Sequence, residues 1–213
     1  SESSSKEVAL VRKAALDAGV IPSMLLGATK LNLGQATALE EYKRLIDHTA
    51  ALGASWLLDC GTSRQEHYNA YFDLMSVAAP YAQQVGVQIT MKPHGGISLT
   101  IGDLIAACKR VNHPAFGICF DPGNIIYYTA GEMRPEKGIA ELAPKVSTCI
   151  VKDCELIDKK PNVMVTVGDG LVDFYKVFSG LVKVGFPGPF YVECVGSTDA
   201  RGVDRDVAYT IGY

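Results

Sequence analysis

The apolar runs of this chain are short, and four of them stop on a polar residue at a loop. They read ITMKPHGG (89–96), GICFDPGN (117–124), CIVKD (149–153) and FYVECV (190–195). Strands are predicted over 21–27, 56–60, 87–92, 117–121, 146–152 and 190–194. Amphipathic helical stretches separate them. A helix is predicted over 6–18. Thr37 and Glu40 read as a T-x-x-E capping box ahead of the Leu39, Tyr42, Leu45, Ile46, Ala50 stripe, which Gly53 ends. Ser63 and Glu66 repeat the box before a helix reaching Gln84. Thr100 with Asp103 opens another that ends near Asn112, a further helix covers about 136–142, and Asp173 begins one closed by Gly185. No hairpin signal such as Asn-Gly breaks the alternation.

Strand–helix alternation of this kind predicts a parallel α/β sheet with right-handed crossovers. In such a sheet the C-terminal strand ends converge on one mouth, where sites form. The polar endings place Lys92, His94, Asp121, Lys152 and Glu193 there. Polar ends on many strands fit a barrel better than an open sheet, which gathers its ligand contacts near one switch point. Neither GxGxxG nor GxxxxGK[ST] occurs, so a nucleotide fold has no phosphate-loop support.

Side chains two apart share a strand face. Thr90, Lys92 and His94 therefore face one way while Ile89 and Met91 face the other. Cys119 with Asp121, and Tyr191 with Glu193, are expected inward by the same rule. Charges gathered at one level are costly unless they pair with each other, a metal or a ligand.

At 213 residues the chain can hold one sizeable core. A net charge of -3 and a pI near 5.8 argue against a nucleic-acid or membrane surface driven by basic charge. No apolar run reaches membrane-span length, and no secretory h-region opens the chain. The polar start, Ser1-Glu2-Ser3-Ser4-Ser5, is expected to be frayed or a cut end. Six scattered cysteines without CxxC spacing read as buried free thiols in a reduced, cytoplasmic setting.

The order of Pro-His-Gly after ITMK, Asp-x-Gly after GICF, Lys-Asp ending CIV, Gly-Asp-Gly-Leu-Val-Asp-Phe, and Glu ending FYV resembles the xylose isomerase-like TIM barrels, which include sugar phosphate isomerases and epimerases. The resemblance runs over about 7–196. It implies a (β/α)8 barrel in which residues 1–213 form a single domain lacking the first two strands, since six strands are read where a complete barrel has eight. Missing strands would expose apolar edges, so pairing into a homo-oligomer is one expected consequence.

In that family a Glu, an Asp, a His and a second Glu at four strand ends hold a divalent metal (Mn, Mg, Co or Zn). The metal polarises a carbonyl, and two carboxylates shuttle the proton. Carried over, the first Glu falls on Lys92, the Asp on Asp121, the His on Ile150 and the second Glu on Glu193. The His of the family's D-x-G-H falls on Asn124. Two of the four ligands, Asp121 and Glu193, are thus retained for a metal. Lys92 between them could neutralise both carboxylates without a dication and polarise a carbonyl as a point charge. With a lowered pKa it could also act as a base or form a Schiff base.

The resemblance implies a sugar or sugar-phosphate isomerase/epimerase-like enzyme in which Glu193 is the base and Asp121 and Lys92 organise the oxygens. His94, Asn124, Lys152 and Asp169 are the candidate substrate contacts. The structural alternatives are a hydrogen-bonded loop His94, a Lys152 paired with Asp153 or Asp169, and Asp169 as a turn residue. Glu66 has a sufficient job as a cap, and Tyr127 and Tyr128 either wall the pocket or pack. Two competing functions stay open: a non-catalytic carbohydrate-binding barrel, and a lyase acting on an oxidised sugar. The endonuclease-IV-like branch needs a histidine-rich zinc cluster, while this chain has four histidines and an acidic balance unsuited to DNA.

Overall fold

The computed structural model describes residues 3–212; Ser1 and Glu2, two of the five residues of the expected frayed start, lie outside them. Its elements run α1 (Ser5–Asp17), β1 (Met24–Gly27), α2 (Gln35–Leu52), β2 (Trp56–Asp59), α3 (Tyr68–Gln84), β3 (Gln88–Met91), α4 (Ile101–Val111) and β4 (Phe116–Phe120). Then follow α5 (Pro122–Tyr128), α6 (Ile139–Leu142), β5 (Val146–Val151), β6 (Glu155–Ile157), β7 (Lys160–Asn162), α7 (Phe174–Lys183), β8 (Phe190–Val192) and α8 (Ala200–Gly212). All six predicted strands are present, five of them a little shorter than read and β4 shifted by one residue. The chain divides into two compact units, one running to Met91 and adding Ala107–Gly117, the other taking Lys92–Ala106 and the chain from Ile118 on.

In the first unit, β1, β2 and β3 pair in parallel, with Gly27 opposite Asp59 and Asp59 opposite Met91. The helices supply one buried face each: Tyr42 and Ile46 from α2, and Tyr71, Leu74 and Met75 from α3, pack with Leu57 and Ile89 in the core. α1 starts on a true capping box, in which Ser4 Oγ accepts from the Glu7 N–H and the Ser4 N–H donates to Glu7 Oε2. The predicted Thr37–Glu40 box is corrected: α2 begins at Gln35 with Gly34 as its cap, so Thr37 lies inside the helix. Ahead of α3 a 3-10 turn over Gln65–His67 takes the place of the predicted Ser63–Glu66 start.

In the second unit, β4 pairs with β5 and β5 with β8, all parallel. Thr100 and Asp103 form the predicted box, each side chain accepting from the other's N–H. Asp173 caps α7 through the Lys176 N–H. Four elements were not predicted. β6 and β7 make an antiparallel hairpin whose turn residues, Asp158 and Lys159, have φ of 49° and 65°. This is the type I′ geometry that Asn-Gly usually marks, filled here by residues that rarely adopt it. The segment after Asp121 forms α5, and residues after Glu193 form α8.

Candidate active site

Lys92, Asp121, Lys152 and Glu193 each directly follow the last residue of a strand, and all four belong to the second unit. They form a closed ionic quartet. Lys92 Nζ donates to Glu193 Oε1 at 2.8 Å and Oε2 at 2.7 Å, and lies 3.1 Å from Asp121 Oδ2. Lys152 Nζ donates to Glu193 Oε1 at 2.6 Å and Asn124 Oδ1 at 3.0 Å, and lies 3.0 Å from the same Asp121 Oδ2. Asp121 Oδ2 thus lies within ion-pairing distance of both ammoniums at once. Two carboxylates and two ammoniums leave the group with no net charge.

The local sequence dictates how these groups are aimed. Asp121 caps α5: its Oδ1 accepts from the Asn124 N–H at 2.9 Å while Pro122 takes the first helical position, where a missing N–H costs nothing. The cap fixes the carboxyl so that Oδ2 points at the lysines. Asn124 is locked in turn, its Nδ2 donating to Pro93 O at 2.8 Å. Gly123 lets the start of α5 lie against the end of β5, since a Cβ there would sit 2.8 Å from Lys152 O and 2.9 Å from Asp153 O. Glu193 precedes Cys194, whose φ of 61° puts a non-glycine residue in the left-handed region.

Burial separates the members. The side chains of Asp121, Lys152 and Lys92 are 0%, 4% and 5% exposed, and that of Glu193 is 40% exposed. Burial alone would push the Lys92 ammonium down, but the Asp121 and Glu193 carboxylates outweigh it and hold Lys92 above its ordinary value. Lys92 is therefore a fixed cation, and the lowered pKa needed for a base or a Schiff base is not its state here. For Glu193, burial would raise the carboxyl; the hydrogen bonds from Lys152 and Lys92 override this and hold it below its usual value. Cys119 lies two residues before Asp121, and burial pushes its thiol up to about 12, so it is chemically quiet.

His94 is exposed beside the quartet, its Nε2 2.9 Å from the Tyr128 hydroxyl and the two rings 4.8 Å apart. Partial desolvation, then the charges of Lys92 and Lys152, push its pKa below the ordinary histidine value, so it is neutral at pH 7. Tyr128 thus touches a candidate site residue, while Tyr127 is exposed and stacks edge-on against Tyr128. Lys152 takes neither acidic partner weighed from its sequence neighbourhood. Asp169 is exposed, its N–H donating to Thr166 O.

The residue that the sequence reading passed over is Asp153. Its carboxylate is fully buried and accepts the backbone N–H groups of Cys154 and Val172 on Oδ1 and of Gly168 and Gly170 on Oδ2, at 2.8–3.0 Å. It ties the Gly-Asp-Gly loop to the residue after Lys152. The Lys-Asp pair that follows β5 and the two glycines are the sequence signals for it.

The donor set does not suit a divalent metal. Two ammoniums stand within 3.1 Å of the two carboxylates that would ligate it, and like charge excludes a dication from that space. Among the described residues no group of three or more His, Cys, Asp or Glu side chains is placed to hold a metal ion. No described helix is long and apolar enough to cross a membrane. A further buried carboxylate, Asp59 at the end of β2, accepts from the Tyr71 hydroxyl at 2.9 Å and the Gly61 N–H at 2.7 Å, and burial raises its pKa to about 6.

The model of the xylose isomerase-like TIM barrel matches residues 3–210. Among solved structures, the chain is similar to a xylose isomerase-like TIM barrel protein from Mycobacterium smegmatis in complex with magnesium, at 17% identity and TM-score 0.82, covering 99% of this chain and 78% of that one. It is similar to 3-keto-D-glucoside 4-epimerase from E. coli, at 14% identity and TM-score 0.75 over 98% and 86% of the two chains. A D-allulose 3-epimerase from Methylomonas sp. in complex with D-allulose follows, at 18% identity and TM-score 0.68 over 92% and 73%. No curated protein matches the sequence.

Proposed function

Because the chain belongs to the xylose isomerase-like TIM barrels, we propose that it is a sugar or sugar-phosphate isomerase/epimerase-like enzyme whose two lysines do the electrostatic work of a metal. Residues 1–213 are taken as one such barrel domain. The observation that carries the reading is the convergence of Lys92 and Lys152 on Glu193, with Asp121 beneath both. Burying three ionised groups and half-burying a fourth at strand ends contributes little to stability by itself. Perturbed charges of that kind gather where chemistry is done.

In the proposed reaction a substrate carbonyl oxygen takes the place beside the lysines. Glu193, ionised and at the open edge, accepts the proton from the carbon next to the carbonyl. The C–H electron pair forms the new C=C bond, the carbonyl electrons move to oxygen, and the resulting enediolate is held by the Lys92 and Lys152 ammoniums. Returning the proton to the other face gives an epimer; returning it to the adjacent carbon gives an isomer. Asp121 keeps both ammoniums charged and aimed. His94, neutral and hydrogen-bonded to Tyr128, is placed to exchange a proton with a substrate hydroxyl. Asn124 acts through Lys152, and Asp169 is kept as a contact from the loop that Asp153 holds.

The second reading, a carbohydrate-binding barrel without turnover, draws on one observation: each ammonium already has three protein oxygens within 3.1 Å, so a substrate oxygen must compete with the protein's own acceptors. Proton NMR in deuterium oxide separates the two. Incubating D-fructose, D-allulose and their phosphates with the protein should erase the signal of the hydrogen next to the carbonyl, and Glu193→Gln should stop this. Exchange no faster than buffer for all of them would leave the binding reading.

A further inference from the structure

The quartet is neutral only while Glu193 is part of it. Lys92 makes two of its three contacts with Glu193, and Lys152 one of its three. Take Glu193 away, and two buried ammoniums remain with one carboxylate, an excess of one positive charge. Asp121 cannot leave, because its other oxygen caps α5 and its side chain is fully buried. Glu193 can. It is the one member with a large exposed fraction, it is the last in the chain order, and it sits between the short strand β8 and a loop containing Gly196. Its Oε1 bridges both Nζ atoms, at 2.8 and 2.6 Å, as an oxygen of a ligand's own acid group would.

We propose that Glu193 is a removable stand-in for an anion on the ligand: a small carbohydrate carrying a carboxylate or a phosphate displaces its side chain and takes Lys92 and Lys152 together. Displacement by a carboxylate keeps the buried site neutral, and a phosphate, with about 1.5 to 2 negative charges at pH 7, leaves it no more than about one charge negative. A neutral sugar that displaced Glu193 would leave the excess positive charge uncompensated, and burying that charge is costly. The site therefore selects acidic over neutral sugars. Two ammoniums sharing one oxygen are suited to either acid group, since lysine recognises charge and makes few demands on planarity. This rests on the enzyme reading only for the carbohydrate class; it concerns binding alone, and an acid group on both lysines is an occupancy distinct from the carbonyl-bound one of the proposed reaction.

The test is calorimetric titration of wild-type protein and Glu193→Gln with D-gluconate, D-glucose 6-phosphate and D-glucose, none of which needs to turn over. The expected result is at least tenfold tighter binding of one or both acids by Glu193→Gln, where no internal anion competes, with D-glucose unchanged. A gain confined to gluconate identifies a carboxylate ligand, and one confined to glucose 6-phosphate a phosphate ligand. An equal gain for D-glucose, or no binding of either acid to either protein, overturns the proposal. If Glu193→Gln does not fold, the side-chain ammonium NMR signals of Lys92 and Lys152 in wild-type protein decide. They should shift with the acids and stay put with D-glucose, and any other pattern overturns the proposal. Acid binding without any proton exchange would sink the enzyme reading and leave this one standing.

Discussion

Lys92 and Lys152 donate to the same oxygen, Glu193 Oε1, at 2.8 and 2.6 Å, and stand 3.1 and 3.0 Å from the same oxygen of Asp121. The two lysines therefore act as one doubly charged object facing two carboxylates. That arrangement gives the predictions below their signs.

Removing one lysine should be far worse than removing an ordinary surface charge. Lys92→Met leaves Asp121 buried with one partner fewer, and breaking a buried pair costs about 3–5 kcal/mol. Urea unfolding of Lys92→Met should show a loss of that order. Adding Glu193→Gln to it should recover part of the loss by restoring charge balance, so the two changes should not be additive.

Asp153 should prove structural as well as positional. Asp153→Asn turns an amide N–H₂ toward two backbone donors of the four it now satisfies, which costs on the order of 2–3 kcal/mol. Amide hydrogen exchange at Gly168, Gly170 and Val172 should accelerate ahead of the rest of the chain. Gly170→Ala should do the same, because a Cβ there would run into the Asp153 carboxyl.

Asp59 should make stability fall as pH rises. Burial raises its folded pKa from 3.8 to about 6, so the folded state holds this proton more tightly than the unfolded chain does. The stabilising contribution is complete below pH 4, shrinks through the interval from about 4 to 6, and is gone above it. At 1.36 kcal/mol per unit the swing is roughly 3 kcal/mol. Asp59→Asn, which keeps the acceptor for Tyr71 and Gly61, should remove this component from the dependence of Tm on pH.

How much of this could be read from the chain follows from what each signal depends on. The strands were legible because apolar runs ending at polar residues are a local pattern, and Lys92, Asp121 and Glu193 were found by their places at the ends. α5 was not, because Asp-Pro-Gly-Asn reads as a turn; only the contact of Asp121 with the Asn124 N–H shows it to be a helix start. The β6–β7 hairpin hid behind Asp158-Lys159, a pair without glycine. From the sequence Lys152 reads as a ligand contact, with a neighbouring acid as its alternative partner. Its actual carboxylates come from residues 31 and 41 positions away, a relationship that no spacing rule encodes.

His94 should titrate low. Desolvation and the two lysine charges both depress it, so an NMR titration should place its midpoint below that of a free histidine. Lys152→Met should bring the midpoint up by removing one of those charges.

The central claim is that Lys92 and Lys152 stand where the family's dication would, and elemental mass spectrometry of the purified protein before and after dialysis against chelator tests it most directly. The account predicts no stoichiometric Mn, Mg, Co or Zn at either stage and an unchanged Tm. One equivalent of a divalent metal that chelator removes, and that Asp121→Asn protein fails to retain, would contradict it.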